Sequence, residues 1–210
     1  MIFTVMALAA STGLNIAKPH NYPGDWITPE DYPSEQLNKY EIGYVSFSLL
    51  VDLSGRVSEC IITNPSRSSI LNALTCSLLE RRAKFFPATG PDGAATYGVF
   101  HSSVSWLSAD DTYSLKMLQK KYPAPPSYDI EVAVNKLPGA DDSPVTIDLG
   151  LFVDATGKNI ACQSADSKQD QSMVHIACNQ AMNLWKPIPM KRAENKPTVQ
   201  EVKVIIGKSR

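Results

Sequence analysis

The chain of 210 residues has little of what catalysis, metal binding or nucleic-acid recognition requires. It contains three histidines, His20, His101 and His175. None is spaced from another His, Cys or acid as a metal site needs. No C-x-x-C is present, so neither a redox-active dithiol nor the usual zinc spacing is indicated. A nucleophile elbow, a P-loop and a dinucleotide-binding glycine motif are all absent. With 20 basic against 21 acidic side chains, the formal net charge is -1. That balance gives no broad electrostatic footprint for nucleic acid. The pairs Asp110-Asp111 and Asp141-Asp142 lie beside turn or helix-start residues and read as solvated caps. Arg81, Arg82 and Lys84 end a helix, where cations suit the dipole. The sequence therefore predicts no catalytic residue, no cofactor, no metal and no nucleic-acid partner.

Long apolar runs are missing too, apart from Met1 to Ala10. That run falls short of the roughly 20 residues a spanning helix needs, so no stable membrane insertion is expected. Ala7-Leu8-Ala9 has the small-x-small look of a signal-peptidase site, but no basic residue precedes Lys18. Residues 1–17 are expected to be a leader or signal peptide, the alternative being a disordered tail.

What is present is a repeat. Cys60 and Cys76 are 16 apart, as are Cys162 and Cys178, and the second pair follows the first by 102 residues. "VDLSGRVSEC" at 51–60 faces "VDATGKNIAC" at 153–162, Pro87 faces Pro189 and Thr96 faces Thr198, with no gap from Val51 to about Val104. One small module is written twice, and each copy is expected to carry its own disulfide, Cys60–Cys76 and Cys162–Cys178. Such bridges persist in oxidising compartments such as a periplasm or the cell exterior.

Within the first copy, Tyr44–Val51 and Val57–Thr63 read as strands around the turn Asp52-Leu53-Ser54-Gly55. Ile70, Leu71, Leu74, Leu78 and Leu79 recur at helical spacing from Ser69 to about Arg82. Tyr97–Trp106 then alternates as a half-buried strand. Asp110–Lys121 reads as a linking helix, and "YPAPPS" at 122–127 as a domain boundary. The second copy repeats the order through Val145–Val153, Asn159–Gln163, a helix from Ser167 or Asp170 to Trp185, and Val199–Ile206. The fold class predicted is α+β, with two tandem ββαβ modules. Each is a three-stranded antiparallel sheet with one packed helix, over residues 24–107 and 128–207, with a linker at 108–127. Each final strand lies at a sheet edge that is either open to an extended peptide or covered by the other module or the lead-in.

"TPEDYP" at 28–33, "GYVSFSLLVDLSGRVSECIITNPS" at 43–66, "ILNALTCSLLERRAKFFPA" at 70–88 and "VSW" at 104–106 resemble the TonB C-terminal domain family. The second copy keeps the hairpin, the cysteines and Pro189, but "PIPM" at 187–190 replaces the aromatic segment. The resemblance implies a helix over a three-stranded antiparallel sheet. It also implies capture, by strand addition, of an extended segment of an envelope protein or TonB-dependent receptor in the periplasm, linked to outer-membrane transport. Carried over by position, the peptide-pairing residues are Tyr97, Val99, His101, Ser103 and Ser105 in the first copy. In the second they are Val199, Glu201, Lys203 and Ile205. The sequence departs from the family in showing no spanning helix and in a lead-in, Lys18–Pro33, too short to cross a periplasm. The resemblance therefore implies peptide binding and leaves energy transduction open. The competing expectation is an assembly protein whose sheet edges pair internally or by self-association. An enzyme would need a polar cluster between the modules.

Overall fold

A computed structural model describes residues 13–39, 41–107, 116, 124–137 and 143–209. The linking helix expected over Asp110–Lys121 lies outside these residues, Lys116 apart, as do both acid pairs and residues 1–12. The lead-in holds a two-residue strand, β1 (Lys18–Pro19), and a short helix, α1 (Ser34–Asn38). Strands β2 (Gly43–Val51) and β3 (Val57–Asn64) form the first hairpin. Asp52 opens its turn by accepting the N–H groups of Ser54 (2.8 Å) and Arg56 (3.0 Å). Gly55 supplies the positive φ of 79° that the turn needs. Helix α2 (Ser69–Arg82) follows, capped by the Ser68 side chain on the Leu71 N–H. Two short strands, β4 (Phe85–Phe86) and β5 (Ala88–Thr89), lead to β6 (Ala95–Trp106), which pairs antiparallel with β2.

The second half repeats this order. Strand β7 (Ile130–Val134) precedes the hairpin of β8 (Val145–Val153) and β9 (Asn159–Ser164). Asp154 makes the same turn contacts, to Thr156 (2.8 Å) and Lys158 (3.0 Å). Helix α3 (Gln171–Leu184) is capped by Asp170, the second of the two starts expected. Strand β10 (Thr198–Lys208) ends the fold. Both expected disulfides form, with Cα separations of 5.5 Å for Cys60–Cys76 and 5.7 Å for Cys162–Cys178. Each ties the outer strand of a hairpin to its helix.

The expectation of two separate three-stranded sheets is corrected. One eight-stranded sheet runs through the molecule in the order β3-β2-β6-β10-β8-β9, with β5 on β6 and β7 on β10. The halves join where Tyr97, Gly98 and Val99 pair in parallel with Thr198, Val199 and Gln200. Alternation then sets the layers. Val199 packs with Leu49, Leu79 and Ala83 in the α2 core, whereas Val202 and Val204 pack with Met173, Ala177 and Ala181 of α3. Because Val199 and Val202 point to opposite faces of one strand, the two helices lie on opposite faces of the sheet. The faces beyond the helices are covered by the lead-in and by the segment that follows α3. Leu14 and Ala17 join the α2 core, and Met190 and Ala193 cover Leu50 and Val99.

Two further expectations change. Gly13–Ala17 belongs to the folded body rather than to a leader: Leu14 and Ala17 are buried, and Asn15 exchanges two backbone hydrogen bonds with Thr89, each 3.0 Å. The repeat is also not gap-free. Val51 lies opposite Gly98, but Val153 lies opposite Thr198. Thr198 is thus the counterpart of Gly98, not of Thr96, because the connection from helix to final strand is two residues shorter in the second half. Arg82, read as a dipole-satisfying cation, also clamps the lead-in. Its guanidinium meets both Asp31 oxygens (2.6 and 2.8 Å) and holds that carboxyl below its usual range.

Candidate functional site

The final strands were expected to offer two edges, and the structure treats them differently. Strand β10 is an interior strand. Val199 is fully buried between Gly98 and Phe152, and Ile205 lies between Glu131 and Thr146. The expected second edge at Val199, Glu201, Lys203 and Ile205 is therefore closed. The physical reason is β7. Ile130, Val132 and Val134 alternate with Glu131 and Ala133 as a strand should, and this segment occupies the lower part of the edge. Strand β6 occupies the upper part.

In the first half, Tyr97 and Val99 are taken into the seam, and Val99 is buried against Leu50, Met190 and Ala193. Beyond them β6 diverges from β10. From Phe100 to Trp106 it pairs with β2 on one side and with no strand on the other, among the described residues. His101, Ser103 and Ser105 lie in this stretch. Beside it a cleft of about 460 Å³ opens between Ser46, Thr63 and Asn64 on the hairpin and Pro125–Asp129 on the far wall.

Asp129 fills the point of divergence. Its carboxylate accepts the Lys203 backbone N–H at 2.7 Å and the His101 Nε2–H at 3.0 Å, while its own N–H donates to the Lys203 carbonyl at 2.8 Å. It thereby caps the strand that β6 has left and bonds the one departing. The His101 ring stacks on Trp185, with centroids 6.1 Å apart. Its Nδ1 is buried without a described partner. The His–carboxylate pair ties β6 to the residue that caps β10, and so braces the seam. Sequence reading found His101, Glu201 and Lys203 only as strand positions. Asp129 was missed, since nothing local marks a residue whose partners lie 28 and 74 positions away.

Glu201 completes the cluster. It is buried, its Oε2 has no described partner, and Lys203 Nζ lies 3.6 Å from Oε1. Burial pushes its carboxyl above the usual range; Lys203 and His101 pull it back only in part. A raised folded-state value favours folding at acid pH, and that contribution is lost as pH rises through the raised value. Relative to Glu201→Gln, wild type should therefore lose stability as pH rises from about 4 towards neutrality. Glu201→Gln should lack this component. Parallel pH profiles for the two proteins would refute the assignment.

Among the described residues no group of three or more His, Cys, Asp or Glu side chains is placed to hold a metal, and no helix is long and apolar enough to cross a membrane. Comparison with protein-family models, with curated proteins and with solved structures found no match.

Proposed function

We propose that the chain is an exported, periplasmic, non-catalytic protein built of two TonB C-terminal-like ββαβ modules. The first module captures an extended segment of an envelope protein or TonB-dependent receptor by strand addition. The second supports it. The observation that carries this reading is the stretch Phe100–Trp106, where the final strand of the first half has no strand partner on its outer side among the described residues. Unpaired N–H and C=O groups in such a row are a template for an incoming chain. The cleft between Ser46 and Asn64 on one side and Tyr128 on the other leaves room for side chains beside it. Two disulfides suit an oxidising compartment.

The experiment is titration of the oxidised, ¹⁵N-labelled chain with extended TonB-box-type peptides. Amide shifts confined to Phe100–Trp106 and the cleft are expected, with none in β10 apart from Lys203, which lines the cleft. Silence throughout both strands would remove the proposal. A second reading, an assembly protein whose edges pair internally and take no peptide, is favoured by the seam itself, since Tyr97–Val99 and Thr198–Gln200 already satisfy each other. Silence in the titration would support that reading.

A further inference from the structure

The two copies differ just after their helices, and the difference leaves a groove. In the first half the helix ends at its C-cap Ala83, and the next residues latch onto the hairpin tip. Phe85 donates its N–H to the Gly55 carbonyl at 2.9 Å, and Lys84 bridges to Arg56. Contact is so close that a Cβ added at Gly55 would lie 2.0 Å from the Phe85 carbonyl oxygen and 3.7 Å from Pro87 Cδ.

In the second half the C-cap is Trp185, and the residue matching Phe85 is Pro187. Proline has no N–H to give. The next residue, Ile188, has both backbone groups taken by the Gln200 side chain, through a 2.8 Å bond to its N–H and a 3.2 Å bond to its carbonyl. This draws the segment onto β10 and away from the hairpin. Nothing lies within 4 Å of a Cβ added at Gly157, and its carbonyl accepts no hydrogen bond from a described residue. A groove of about 530 Å³ separates Val153–Gly157 from Pro187–Met190, closed at its base by Thr198 and Gln200.

We propose that this groove is a second binding site, for an extended peptide with a free N–H two residues before a proline. The first copy supplies the template: there the same position is filled by the chain's own Phe85-Phe86-Pro87, whose leading N–H reaches the turn glycine. A peptide of that kind would donate to the Gly157 carbonyl and lay its proline against Ile188 and Met190. The site is separate from the Phe100–Trp106 edge and does not depend on it.

The probe is the acetylated and amidated pentapeptide Lys-Phe-Phe-Pro-Ala, the chain's own residues 84–88, titrated into the ¹⁵N-labelled, oxidised protein. Saturable shifts are expected at Val153–Gly157, Ile188 and Met190, and a peptide with proline replaced by alanine should bind at least tenfold more weakly. Pro187→Phe restores the missing N–H and should abolish binding by closing the groove. Ala155→Trp, on the exposed turn, should weaken binding at least tenfold by filling the groove without touching the core. No shift at about 1 mM peptide, shifts only at Phe100–Trp106, or undiminished binding by Ala155→Trp would each overturn the proposal.

Discussion

Replacing Cys60 and Cys76 together by alanine is expected to lower the stability of the folded chain by about 3 kcal/mol, the chain-entropy value for a loop of roughly 15 residues. The same holds for Cys162 and Cys178. Each bridge fastens an outermost strand, β3 or β9, to its helix, so its loss also frees an edge of the sheet. Against a typical total of about 5–15 kcal/mol, that is a large fraction. Urea unfolding of the oxidised protein and the two double variants measures it. A change well under 1 kcal/mol in both would mean that the loops are held without their crosslinks.

Leu49→Ala and Leu151→Ala should each cost about 2–5 kcal/mol, the range for emptying a leucine-sized space in a packed core. Both side chains are fully buried, Leu49 in the α2 core and Leu151 in the α3 core. The informative part is where the loss is felt. Val199 from the second half sits in the α2 core, and Met190 and Ala193 cover the first half's Leu50. Either substitution should therefore lower one shared transition, followed through amide signals from both halves. If Leu49→Ala melts residues 43–106 while 145–206 keep the wild-type midpoint, the halves are independent and the shared core is wrong.

Much of each half was legible in the sequence for local reasons. The Asp-x-x-Gly turns report their own hydrogen bonds, the spacing of Leu71, Leu78 and Leu79 reports a helix, and the 16-residue cysteine interval places a strand beside that helix. The seam was not legible. Alternation along Tyr97–Trp106 says which side chains share a face, but not which strand lies beyond the edge. Three parallel pairs leave no composition signature. The two-residue shift of β10 was hidden because the identities Pro87–Pro189 and Thr96–Thr198 favoured an ungapped match, whereas pairing with β8 decides the register. Strand β7 was available in the sequence: Ile130, Val132 and Val134 alternate, but they stand just after a proline-rich stretch that reads as linker. Of the candidate site, the residues of β6 were found and Asp129 was not. Its role exists only once β6 and β10 part around it.

Residue-resolved hydrogen exchange on the free, oxidised protein tests the central claim, that the two copies share one sheet through their final strands. Protection is expected at every amide from Val199 to Ile206, because β10 is flanked on both sides. From Phe100 to Trp106 it should alternate, with amides bonded to β2 slow and those facing outward fast. Alternating fast exchange along Val199–Ile206 as well would mean two open edges and two separate sheets, and would contradict the account.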